Sequence, residues 1–134
     1  MISQLEIIDN VYQVVAGTQL KEALTGLVYK VQRPDNSTKE DAVINALPVM
    51  DGTPDLCFVN LNIYVPDLQA TIENKQQQVP DYERMQYLTD LAMNELKEYY
   101  GGTFSFYCYW NNIEREEQIK YHFVNLRLEY RSFN

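Results

Sequence analysis

Few side chains in this sequence could do covalent or metal chemistry, and their spacing argues against each reaction in turn. His122 is the lone histidine. A zinc-type centre would therefore lack a second imidazole, and the neighbours Tyr121 and Phe123 place His122 in a strand as a structural or surface residue. Cys57 and Cys108 sit far apart, each inside an apolar run. A Cys–His nucleophile would need one of them to meet His122 in an electropositive setting that favours the thiolate, and neither local sequence supplies one. They read as reduced core cysteines of a cytosolic chain. Glu40 and Asp41, like the group Glu114, Glu116 and Glu117, lie in polar stretches and read as solvated turns. Gly101 and Gly102 follow a helical pattern and lead into a strand, the reverse of the order that cradles phosphate. The sequence thus predicts no catalytic residue, no metal site and no cofactor.

Charge narrows the partners. The 134 residues carry a formal net charge of −8, with 11 Lys and Arg against 19 Asp and Glu. Scattered cations in an acidic chain argue against gripping a phosphate backbone. Tyr107, Tyr109, Tyr121 and Tyr130 could stack on bases, but that mode needs a basic groove as well. Eleven tyrosines suit subunit contact better, because each offers a large apolar body with a polar tip. No apolar run reaches the roughly 18 to 20 residues of a membrane helix, and the amino terminus lacks a signal-peptide pattern. The expectation is one cytosolic domain over residues 1–134, with no membrane partner.

The elements that must position these residues can be read from their periodicity. Ser3 and Glu6 match a capping box and Ile2 and Ile7 a hydrophobic staple, opening a helix whose stripe is Leu5, Ile8, Val11, Tyr12 and Val15. Gly17 and Thr18 break or bend it, and Gly26 is placed to terminate one or two further turns. Residues 27–32 read as a strand, 33–41 as an exposed loop and 42–49 as a second strand. In the third, 56–65, Cys57, Val59, Leu61, Ile63 and Val65 line one face, and Leu56, Phe58, Asn60, Asn62 and Tyr64 the other. A polar connection leads to Asp81, which caps a second helix with the stripe Met85, Leu88, Leu91, Ala92, Leu96 and Tyr99. After Gly101 and Gly102, Phe104, Phe106, Cys108 and Trp110 share one face of a strand. Asn111 and Asn112 open a charged turn, and residues 119–133 form the last strand, with a bulge near Phe123 and Val124. The fold class is α+β, a mainly antiparallel sheet packed with two helices in the order α-β-β-β-α-β-β. One sheet face is then left to explain.

The segments "GLVYKVQRPDNSTKEDAVINAL" and "VNLNIYVPDL" add a resemblance. A strand ending in Arg-Pro, an Asn-Ser-Glu-Asp type loop, "VIN", and an Asn-containing strand closed by Tyr-Val-Pro-Asp resemble small neck-module proteins of tailed phages and prophages. They are most similar to tail-terminator, or tail-completion, proteins, alongside head-closure and adaptor-type neighbours. The resemblance implies a non-enzymatic ring, commonly a hexamer, that caps the tail tube and helps join it to the head. Its partners would be the tail-tube protein and head-completion or neck proteins, with DNA passing through the ring without specific binding. It would assemble in the bacterial host cytoplasm and reside in the virion tail or neck. The contact residues expected on this reading are Arg33, Asp35, Asn36 and Glu40 in the loop, Asn60, Asn62 and Tyr64 on the third strand, and Asn111 and Asn112 in the turn. Two other readings stay open: a small acidic ligand-binding or enzymatic α+β domain, and a regulatory protein-interaction module.

Overall fold

A computed structural model describes residues 1–133, except the side chain of Glu117. In chain order the elements are α1 (Gln4–Ala16), α2 (Gln19–Ala23), β1 (Val28–Lys30), β2 (Asp41–Ala46), β3 (Asp55–Pro66), β4 (Leu68–Ile72), β5 (Lys75–Val79), α3 (Tyr82–Leu96), β6 (Glu98–Tyr100), β7 (Phe104–Glu116) and β8 (Tyr121–Ser132). A six-stranded sheet runs β1-β2-β3-β8-β7-β6, and β4 and β5 form a separate two-stranded sheet. Among the described residues only β1 and β2 pair in parallel. The class is α+β, with three helices and more strands than the expected order holds.

Local signals account for the helix starts. The Ser3 hydroxyl accepts the Glu6 N–H at 3.1 Å, and the staple residues Ile2 and Ile7 are both buried. Leu5 does not join the buried stripe of Ile7, Ile8, Val11 and Val15 and is 71% exposed. At 100° per residue it lies roughly 105° around the helix from the centre of that stripe. The Gly17 and Thr18 N–H groups close α1 by donating to the Val14 and Val15 carbonyls at 3.2 and 3.1 Å, so the bent helix is two helices. Gly26 serves close approach rather than termination. Its N–H donates to the Glu40 carbonyl at 2.8 Å, and a Cβ there would run into that carbonyl and the Asp41 carboxylate. Asp81 caps α3, accepting the Arg84 N–H at 3.3 Å.

Four expectations fail for identifiable reasons. The polar connection after Pro66 is the β4–β5 hairpin, closed by Glu73 and Asn74 at φ 51° and 64°, the doubly left-handed geometry of a type I′ turn; its second strand, Lys75–Val79, is Gln-rich and carries little β signal. Tyr99 belongs to β6, not the helix. There its ring stacks on Phe104 and Phe106 with centroids 5.4 and 5.3 Å away. The bulge is in β7 rather than β8: Cys108 faces Leu128 while Trp110 faces Arg127, so Tyr109 is extra and Trp110 moves to the opposite face from Cys108. Finally, β7 continues to Glu116, making Asn111 and Asn112 strand residues. The turn is a short 3₁₀ segment, Glu117–Ile119, followed by Lys120 at φ 57°.

One side of the sheet holds the core. Ala42, Ile44, Cys57, Val59, Leu61, Ile63, Phe106, Leu126, Leu128 and Tyr130 all point there. They meet Ile7, Val11 and Val15 of α1, Leu20 of α2 and Leu88, Ala92 and Leu96 of α3. Among the described residues no helix contributes to the other face, called the outer face below. No described helix is long and apolar enough to cross a membrane.

Candidate interaction surface

Alternation along β2, β3 and β8 puts Asn45, Asn60, Asn62, Asn125 and Arg127 on the outer face, where register brings them together. The Asn60 amide donates to Asn45 Oδ1 at 2.9 Å. Asn125 Nδ2 donates to Asn60 Oδ1 at 3.1 Å and to Asn62 Oδ1 at 2.6 Å. Arg127 Nε also reaches Asn60 Oδ1, at 3.1 Å, and its guanidinium lies 4.7 Å from the centre of the Trp110 ring. Asn62 and Asn125 are buried by the side chains around them, so a row of amides is satisfied internally without a covering layer.

Aromatic groups flank this row. On one side Phe58 meets Tyr109 edge-on at 5.5 Å and Tyr109 meets Tyr107 at 6.2 Å. Tyr107, Tyr109 and Trp110 are all exposed, Trp110 by 46%. On the other side Tyr64 stacks on Phe123 at 4.8 Å, and the Arg33 guanidinium lies 4.8 Å from the Tyr64 ring and 4.2 Å from Tyr121. Burial raises the Tyr64 hydroxyl above its ordinary pKa, with Glu116 adding to the shift.

Arg33 is no free loop cation. It donates through Nε and a terminal nitrogen to Asp41 Oδ2 at 3.0 and 2.8 Å, and Ser37 Oγ donates to the same oxygen at 2.6 Å. Asp41, read from sequence as solvated, is 1% exposed. Glu40 is buried as well, held by Arg84 at 2.6 and 2.9 Å, and that hydrogen bond raises the Arg84 pKa. Both acids need a cation because an unpaired buried carboxylate is costly. Asp35 and Asn36 remain exposed at the loop tip.

The structure brings the two expected contact segments together only in part. Tyr121 Oη donates to the Ser37 and Lys39 carbonyls at 3.0 and 2.9 Å, and residues of the 33–38 loop share a hollow of about 540 Å³ with Ile119. The loop thus packs beside the β7–β8 turn. Asn111 and Asn112 lie away from that turn on opposite faces. Asn112 sits opposite Asn125, whereas Asn111 lines a groove with Tyr82, Met85 and Ile113.

The groups suited to chemistry are engaged elsewhere. His122 Nδ1 is 2.6 Å from Asp67 Oδ1, joining β8 to the root of the hairpin; Asp67 N–H donates to the Lys120 carbonyl at 3.0 Å. Asp67 Oδ2 is buried with no hydrogen-bond partner. Both cysteines are free and buried. Burial pushes the Cys57 thiol up to about 11, and Cys108 is raised for the same reason. Among the described residues no group of three His, Cys, Asp or Glu side chains is arranged to hold a metal ion. Sequence reasoning missed Asn45, Asn125, Arg127 and the outward turn of Trp110. The strand polar residues were a usable signal, but register decides which of them meet.

No protein-family model matches the chain, and no curated protein matches it.

Proposed function

We propose that the protein is a structural subunit of a phage or prophage tail, capping the tail tube and helping join it to the head as a homo-oligomeric ring, with a hexamer expected. The observation that carries this reading is the outer sheet face: a helix-free layer of Tyr107, Tyr109 and Trp110 beside a pre-bonded amide row. Aromatics and arginine are enriched at interface centres. Rotamers already held by hydrogen bonds lose less entropy when a partner arrives. The sequence resemblance supplies the biological setting, and an acidic ring lumen would let DNA slide through without sticking.

Light scattering and electron microscopy of the purified protein, alone and with assembled tail tubes, test the proposal. Rings or capped tube ends are expected, and the paired substitution Tyr109→Asp with Trp110→Asp should abolish them while circular dichroism stays unchanged. A chain that stays monomeric and leaves tube ends bare refutes the proposal, as does full assembly by the double variant.

A further inference from the structure

Two unpaired strand edges of matching length stand in each chain, and we infer that they join across copies: the β4–β5 hairpin of one chain adds to the free half of β7 in the next. β6 pairs with β7 only through Tyr107, Phe106 and Ser105, and the Lys97 carbonyl accepts the Cys108 N–H. Beyond that, across residues 111–116, no strand lies outside β7 among the described residues. Alternate N–H and C=O groups of an antiparallel strand point to each side, so this half presents an open edge. The donor is equally incomplete. The hairpin is a sheet of two strands by itself, none of its residues belongs to the core, and such hairpins are marginal in water unless a further strand or layer joins them. Its five-residue strands fit the length of the acceptor.

Side chains match as well as backbones. The register Leu68 with Val79, Ala70 with Gln77 and Ile72 with Lys75 puts the β4 residues Leu68, Ala70 and Ile72 on one hairpin face with Val79, Gln77 and Lys75 of β5, where Leu68 and Ile72 are exposed. Beside the open half of β7 lies the α3 groove lined by Tyr82, Met85, Ile113 and Val124, with Ile113 53% exposed. An added β4 lays its apolar face on that groove, and Gln69 and Thr71 extend the outer face. Charge favours a second copy as the occupant. The chain carries −8 overall, yet residues 68–79 hold one Glu and one Lys, so this segment approaches an acidic neighbour without like-charge repulsion. Donor and acceptor are different surfaces, so the contact is head-to-tail, the kind that closes rings. It deepens and rests on the self-assembly reading while using residues other than Tyr109 and Trp110.

Two variants of the full chain test the exchange: residues 68–79 replaced by a short Gly-Ser link, and Ile113→Lys. Ile72→Lys stands in for the first should the link impair folding by circular dichroism. Each alone is expected to weaken self-association at least about tenfold. Mixed in equal amounts, they should form a heterodimer that grows no further, since the first retains an acceptor edge and the second a donor hairpin. If the hairpin-less or Ile72→Lys chain assembles as the wild type does, the exchange is overturned and the ring reading stands. The same holds if hairpin loss spares self-association but abolishes tail-tube binding, because the tube is then the occupant. A wild-type chain that is monomeric at every concentration, alone and with tail tubes, overturns both.

Discussion

Replacing Arg33 by leucine removes the cation that lies against two tyrosine rings and holds a nearly inaccessible carboxylate. Asp41 would keep the Ser37 hydroxyl at 2.6 Å and the Leu27 N–H at 3.3 Å, which leaves its charge uncompensated. Removing one partner of a buried pair costs about 3–5 kcal/mol, and the lost contacts with Tyr64 and Tyr121 act in the same direction. With roughly 2.1 cal/mol/K of unfolding entropy per residue, a chain of this length should lose about 11–18 °C in Tm. The assay is thermal and urea denaturation of Arg33→Leu, Asp41→Asn and the double variant. Because the two side chains touch, the double variant should be more stable than the summed single losses predict, by about 2 kcal/mol. A Tm within a few degrees of wild type for Arg33→Leu, or strict additivity, would refute the view that this pair fastens the 33–40 loop to the sheet.

Three further outcomes follow from the same contacts. Asn60→Ala removes the hub of the amide row and leaves buried Asn125 short of an acceptor, so urea titration should show a loss of about 1–3 kcal/mol; no loss would mean the row is incidental to stability. Cys57, with its thiol raised to about 11, should resist alkylation at neutral pH in the folded protein and react at the rate of unfolding. Mass spectrometry of iodoacetamide-treated samples checks this, and fast labelling of Cys57 under native conditions would contradict it. The Asp55 carboxylate accepts the Ile2 and Gly52 N–H groups, which hold its pKa below the usual carboxylate value. Its stabilising contribution is therefore present above the unfolded pKa and lost as pH falls through the folded one. Asp55→Asn should flatten the acid limb of a stability–pH profile, and an unchanged limb would show that Asp55 does not contribute to it.

Local patterns sufficed for whatever depends on near neighbours in the chain. The Ser3 and Asp81 caps, the split of β3 into an apolar face and a face bearing Asn60, Asn62 and Tyr64, and the α+β class were legible because capping and two-residue alternation are set within a few positions. The charges of Glu40 and Asp41 looked solvated for the opposite reason. Glu40, just before β2, meets Arg84 of α3, 44 residues away, and Asp41 is enclosed only when the loop folds back under Tyr121. β6 exists because β7 is there to pair with it, and the turn of Trp110 onto the outer face depends on which strand carries the extra residue relative to its partner. The amide row shows the division most clearly: its members can be read as strand residues from sequence, but their hydrogen bonds join three strands. A one-residue slip would send each of them to the other face, and only tertiary pairing sets that register.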